Sequence, residues 1–270
     1  MNKNNLSIIG YYTSNFGDLL MLKGLLMTIP KVYKHLYILT YGELSRSSFL
    51  YLGVIDDRFT IINLNKKRKH VALLLKSVIT SKHIIWGGGT CFNQSENAFG
   101  GIRIMKLYKL FGASVNYIGV GINTYNSTRL LDKSVKLALS ISNCFVVRDE
   151  GSYSYIKERV NKAFEALEPD LVFLNTFPSF NETEKDKTVF VSYRCVDAYF
   201  GEAIKFRDSF VKSLVYETRK NRFNRVVIFP SDSIVDYYDN KYIATNLSSV
   251  FDNNVKVFFV DSLKIDEAIS

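Results

Sequence analysis

The chain has 270 residues, 47% of them apolar and with 17 Tyr and 20 Phe, which is core-forming material for a globular protein of two domains and excludes a disordered chain. Lys and Arg outnumber Asp and Glu by 35 to 26, a net charge of +9, but no nucleic-acid motif accompanies the excess, so no nucleic-acid partner is expected. Cys91, Cys144, Cys195 and the three histidines show no metal spacing; the expectation is a protein of the reducing cytoplasm with no metal, cofactor, signal peptide or membrane span.

The first predicted strand covers residues 6–12. Thr13-Ser14-Asn15-Phe16-Gly17-Asp18 follows as a polar turn, and residues 19–27 read as a helix that is apolar almost all round. Strand, glycine turn and helix is an arrangement that offers backbone N–H groups to an anion, with Asp18 placed as a helix N-cap. Neither a dinucleotide nor a P-loop fingerprint is present. Residues 37–41 form a second strand, 43–52 a short helix and 59–64 a third strand. Lys66-Lys67-Arg68-Lys69-His70 is the one basic cluster. It reads as a solvated loop and helix start, or as a greeting for an anionic substrate, an acidic polymer or an anionic membrane surface. A helix at 71–80 leads into the apolar run Ile84-Ile85-Trp86, which ends in Gly87-Gly88-Gly89.

A buried strand that opens into three glycines has no side chains at the end where α/β sheets bind ligands. One glycine would make a turn; three favour close approach to something. Residues 91–101 read as a long polar loop, 102–111 as a helix, 115–121 as a strand, 129–142 as an amphipathic helix and 144–147 as a strand. Arg148-Asp149-Glu150-Gly151-Ser152 then opens a helix over 153–159. Asp149 and Glu150 suit its N-terminal dipole, while Arg148 and Ser152 stand open between capping and ligand contact. Residues 178–187 are polar, charged and aperiodic, a linker. Beyond them come strands at 188–193, 225–230 and 255–260 and helices at 200–220 and 235–247, with a last helix beginning near 265. Alternation of this kind predicts parallel sheets covered on both faces. The expected domains are 1–177 and 188–270, the second incomplete.

In order along the chain, Gly10-Tyr11-Tyr12-Thr13-Ser14-Asn15-Phe16-Gly17-Asp18, Trp86-Gly87-Gly88-Gly89, Gly119-Val120-Gly121, Val147-Arg148-Asp149-Glu150-Gly151-Ser152, Pro169-Asp170-Leu171 and Ser192-Tyr193-Arg194 resemble the motifs of the polysaccharide pyruvyl transferase family. The resemblance implies an α/β protein of two Rossmann-like parallel-sheet domains in a GT-B-like arrangement. It implies transfer of a pyruvyl group from phosphoenolpyruvate to a surface glycan or its lipid-linked precursor, in the cytoplasm or at the inner face of the membrane, with peripheral membrane association. The substrate-binding candidates are Asn15, Gly17, Asp18, Gly87, Gly88, Gly89, Arg148, Ser152 and Arg194. Arg194, at a strand end, is the candidate for phosphoenolpyruvate; it could equally pair with Asp197 or Glu202. The family's late Ser-Arg-x-His element has no counterpart here, since His35, His70 and His83 all precede it. The expectation is therefore a truncated enzyme or a member that has lost its donor site, with no catalytic residue assignable. A nucleotide-sugar glycosyltransferase of the same architecture and a non-catalytic binding member are the alternatives.

Overall fold

A computed structural model describes residues 4–13, 15–42, 44, 58–94, 97–124, 128–174, 187–193, 203–231, 236–251 and 255–260. The chain divides into two compact units, Met1–Thr13 with Gly17–Thr176, and Ser14–Phe16 with Phe177–Ser270. The expected helices at 43–52 and from 265, most of the linker, Cys195 and Arg194 lie outside the described residues.

The first unit runs β1 (Asn5–Gly10), α1 (Phe16–Thr28), β2 (His35–Thr40), β3 (Phe59–Asn63), a 3-10 turn (Leu64–Lys66), α2 (Lys67–Thr80) and β4 (Ser81–Gly87). It continues with β5 (Thr90–Asn93), β6 (Ala98–Phe99), α3 (Ile102–Leu110), β7 (Ser114–Ile122), α4 (Arg129–Ile141), β8 (Cys144–Val147) and α5 (Glu150–Arg159). Among the described residues, six of these strands pair in parallel in the order β3-β2-β1-β4-β7-β8. That is the order of a dinucleotide-binding sheet, and it reverses direction between β1 and β4.

Both faces of this sheet are covered, and the strands show it residue by residue. Leu6 and Ile8 of β1 and Leu36 and Ile38 of β2 pack against Leu22, Leu25 and Leu26 of α1. Their alternates Ile9, Tyr37 and Leu39 join Trp86, Met105, Tyr108 and Tyr117 on the opposite side. Side chains alternate across a strand, so a strand buried on both faces reads as an unbroken apolar run. Ser7 interrupts the run of β1 and is wholly buried. Its hydroxyl meets Ser81 Oγ at 2.8 Å and Tyr108 Oη at 3.0 Å, and Tyr108 Oη meets Ser77 Oγ at 2.6 Å. Every hydroxyl in this cluster has a partner, which removes the cost of burying it and ties β1 and β4 to α2 and α3. Burial pushes the Tyr108 phenol up to about 12, so it stays protonated.

Two expectations are corrected. The stretch 91–101 is not a loop throughout: β5 and β6 form an antiparallel hairpin, and β5 also pairs in parallel with β7, Thr90 opposite Gly121. Cys91 and Phe92 are fully buried, and that burial fixes a strand where polar neighbours suggested none. Asp18 is not an N-cap but lies inside the first turn of α1, which begins at Phe16. A carboxylate there complements the helix dipole as a cap would.

The second unit runs β9 (Thr188–Val191), α6 (Ala203–Lys220), β10 (Arg225–Ile228), α7 (Tyr237–Val250) and β11 (Lys256–Phe259). Its three strands are parallel in the order β11-β10-β9. The core is Val191, Leu214, Val226, Ile228, Ile243 and Leu247.

Candidate functional site

In an open α/β sheet the crevice for a ligand forms where neighbouring strands send their connections to opposite sides, at the strands' carboxyl ends. Here that place lies between Tyr11-Tyr12, which follow β1, and Gly87-Gly88-Gly89, which closes β4. Tyr12 bridges the two ends: its ring is buried and its hydroxyl donates to the Gly87 carbonyl at 2.8 Å. Burial, and then the Asp18 charge, hold its phenol well above the usual range, so the donor keeps its proton. Thr40, the last residue of β2, donates to the Tyr12 carbonyl at 2.6 Å.

The three glycines do different jobs. A Cβ on Gly87 would lie 2.5 Å from the Tyr12 hydroxyl and 2.7 Å from Leu25 Cδ2, so this glycine makes room for the protein's own side chains. Gly88 has φ +78, and its Cβ would meet Met21 Sδ at 2.7 Å. Gly89 has φ +76, but its nearest neighbours would be Asp18 Oδ1 at 3.9 Å and Met21 Cε at 4.0 Å. Gly87 and Gly88 are buried, whereas Gly89 is partly exposed and would admit a Cβ at ordinary contact distance, beside the first turn of α1. Asn15, Gly17 and Asp18 occupy that turn and its approach, and all three are partly exposed.

Arg148 follows β8 and is a strut. Nη1 lies 2.7 Å from Asp170 Oδ2 and 3.7 Å from Met21 Sδ; Nη2 donates to Thr90 Oγ1 at 3.2 Å; Nε stands 3.9 Å from Asp149 Oδ2. The guanidinium thus links the β5 start, α1 and the Pro169-Asp170-Leu171 segment. Asp170, Thr90 and Met21 were missed as partners in the sequence, although Pro169-Asp170 stood out as a motif. Ser152 is fully buried and presents no surface to a ligand. Its N–H donates to Asp149 Oδ1 at 2.7 Å, which makes Asp149 the N-cap of α5, and its hydroxyl donates to Asp149 Oδ2 at 3.0 Å while accepting from the Ile122 N–H at 2.8 Å. Ser152 therefore fastens the end of β7 to α5, and the ligand contact entertained for it does not fit this burial.

On the Trp86 side of the same strand ends lies an open cavity of about 490 Å³. Tyr11, Tyr41, Phe99, Asn97, Arg103 and Ser134 are among its lining residues. Sequence reasoning named none of them as site residues. The signal available was Tyr11 in the Gly-Tyr-Tyr motif and the glycine pair before Ile102-Arg103.

In the second unit, Asn240 of α7 holds the end of β9. Its Oδ1 accepts from the Tyr193 N–H at 2.8 Å, and its Nδ2 donates to the Tyr193 carbonyl at 2.5 Å and to the Asp236 carbonyl at 2.8 Å. The backbone just before Arg194 is thus fixed by a buried amide. Among the described residues no cluster of three His, Cys, Asp or Glu could hold a metal, and no helix is long and apolar enough to cross a membrane.

The sequence model described as polysaccharide pyruvyl transferase matches residues 15–268. No curated protein matches the chain. Among solved structures, the chain resembles a complex of S. aureus MnaA with UDP, at 10% identity and TM-score 0.56, over 99% of this chain and 71% of that one. It also resembles a putative UDP-N-acetylglucosamine 2-epimerase from Listeria monocytogenes, at 8% identity and TM-score 0.52, over 98% and 71% of the two chains. At such identities the likeness is one of fold, the GT-B-like class of two Rossmann-type sheets.

Proposed function

Because the chain belongs to the polysaccharide pyruvyl transferase family, we propose that it moves a pyruvyl unit from phosphoenolpyruvate onto hydroxyls of a surface glycan or its lipid-linked precursor. The match over residues 15–268 carries this reading. In the reaction a proton adds to the methylene carbon of phosphoenolpyruvate, and a sugar hydroxyl oxygen bonds to the carbon that bears phosphate. The C–O bond to phosphate breaks and inorganic phosphate leaves. A second hydroxyl on the same sugar closes the ketal, and the two hydroxyl protons pass to the general base and the medium. The step needs an acid at the methylene carbon and cations for the phosphate and carboxylate.

In this reading the glycan lies at the β1/β4 strand ends, near Asn15, Gly17, Asp18 and Gly89, with Gly87 and Gly88 shaping the floor and Arg148 and Ser152 holding it from behind. Arg194 is the proposed contact to phosphoenolpyruvate. Full-length protein incubated with phosphoenolpyruvate and candidate glycans is expected to release phosphate only when an acceptor is present. Arg194→Gln should lower kcat/KM for phosphoenolpyruvate by about 10–100-fold, the worth of one charge-assisted hydrogen bond. Turnover of a nucleotide sugar with no phosphate release from phosphoenolpyruvate would replace this function by glycosyl transfer.

A lipid-linked acceptor would place the protein against a membrane, and α2 supports that placement. Val71, Leu75 and Ile79 recur every four residues, so they share one face, and they are 49%, 50% and 37% exposed. Exposed Lys66, Lys69 and Lys76 accompany them. Apolar residues beside lysines suit an anionic lipid surface. The protein should sediment with phosphatidylglycerol-containing vesicles, less so as salt rises, and Leu75→Asp should abolish this. Absence of binding at low salt would restrict the acceptor to soluble glycans.

A further inference from the structure

The cavity beside Trp86 has its own chemistry. Tyr11 is 37% exposed and stands at its wall. The ring is held from two sides, with its centroid 5.1 Å from Tyr41 at a 33° tilt and 5.6 Å from Trp86 in an edge contact. Tyr41 and Trp86 thus fix the orientation of an aromatic residue that stays partly exposed at the cavity wall. Such a platform suits the apolar C–H face of a pyranose. Around it stand polar groups suited to the ring's edge: the exposed Asn97, held at φ +51, and Ser134, whose hydroxyl donates to the Leu130 carbonyl at 2.8 Å and keeps its acceptor lone pairs. Arg103 completes the wall. Among the described residues it has no hydrogen bond or ion pair, whereas Arg148 is committed to Asp170. An always-charged planar fork in a cavity is a ready partner for a carboxylate or phosphate. The volume of about 490 Å³ lies within the range of small-molecule sites.

We propose that this cavity is a subsite for an acidic sugar, its ring stacked on Tyr11 and its carboxylate or phosphate on Arg103. This rests on the glycan-acceptor reading above and deepens it: the acceptor is an anionic saccharide. Residues of both kinds occur in one concave place at the carboxyl end of the sheet.

The test is ligand-observed saturation-transfer NMR on the full chain with glucuronic acid, glucose 1-phosphate and glucose, supported by titration of the fluorescence of Trp86, the chain's single tryptophan. The acidic sugars should bind at least 10-fold more tightly than glucose, with saturation on the ring C–H protons. Glucuronic acid against glucose 1-phosphate tells whether a uronic acid or a sugar phosphate is preferred. Arg103→Gln should abolish the preference for acid while leaving weak glucose binding, and Tyr11→Ala should weaken all three. Equal affinity for glucose, an unchanged preference in Arg103→Gln, or tighter binding of uridine than of any sugar would overturn the proposal. Phosphate release from phosphoenolpyruvate that persists with unchanged acceptor KM in Tyr11→Ala would remove this subsite but leave the transferase reading. Binding without any phosphate release would do the reverse.

Discussion

Trp86→Ala is expected to lower the unfolding free energy of the first unit by about 3–5 kcal/mol, the cost of emptying a large aromatic site in a core. The indole is fully buried. It stacks on Tyr117 at 6.5 Å, supports Tyr11 and Tyr41, and donates from Nε1 to the Gly88 carbonyl at 3.0 Å. Alanine leaves a cavity and, next to it, a carbonyl without its donor, and the second loss adds to the first. Since domains are typically stable by about 5–15 kcal/mol, this one change would consume a large share. Urea unfolding followed by far-ultraviolet circular dichroism checks it, because the variant has no tryptophan to report. Trp86→Phe should cost less than half as much. A loss below about 1 kcal/mol in Trp86→Ala would mean that the strand end is not packed as described.

Gly88→Ala should cost about 2–4 kcal/mol from two separable sources. The positive φ costs a side chain about 1–2 kcal/mol. The new methyl would also stand 2.7 Å from Met21 Sδ and 3.3 Å from Leu171 Cδ1, and overpacking costs about 1–3 kcal/mol. Gly89→Ala carries the backbone cost alone, because its methyl would have no neighbour nearer than 3.9 Å. Adding Met21→Ala should therefore return part of the loss in Gly88→Ala, as a double-mutant cycle on the unfolding free energy would show. Equal losses at Gly88 and Gly89 would contradict the crowding around Met21. Met21 also lies at Arg148, so the same substitution should loosen the Arg148 strut.

The strand ends that carry the candidate residues are legible in the sequence. The glycine triplet and the Arg-Asp cluster after β8 fall at strand ends as read, because strand and helix each announce themselves by local period and local punctuation, whereas Tyr11 and Tyr12, read as strand, lie beyond the end of β1. The hairpin at β5 and β6 was not legible, since its burial comes from Cys91 and Phe92 packing under distant elements while its own sequence is polar and short. Arg148 was visible as a charge at a strand end, but not its partner. Asp170 lies 22 positions further along, in a segment whose sequence marks a turn and says nothing of where the turn goes. Arg103 was invisible as a site residue, for an arginine in the first turn of a helix reads as solvated until the cavity beside it is seen.

The sequence by itself determined the class of fold and the alternation of its main strands and helices. Alternating apolar runs specify strands buried on both faces, and glycines fix where those strands stop. Only the tertiary structure decided what the glycines are for. Tyr12 and Gly87 are 75 positions apart and meet because β1 lies beside β4, a pairing set by burial of both sheet faces and not by anything local to either strand. Through that pairing the room beside two of the three glycines is taken by the protein's own Tyr12, Leu25 and Met21, the third stays partly exposed and uncrowded, and the cavity opens against Tyr11.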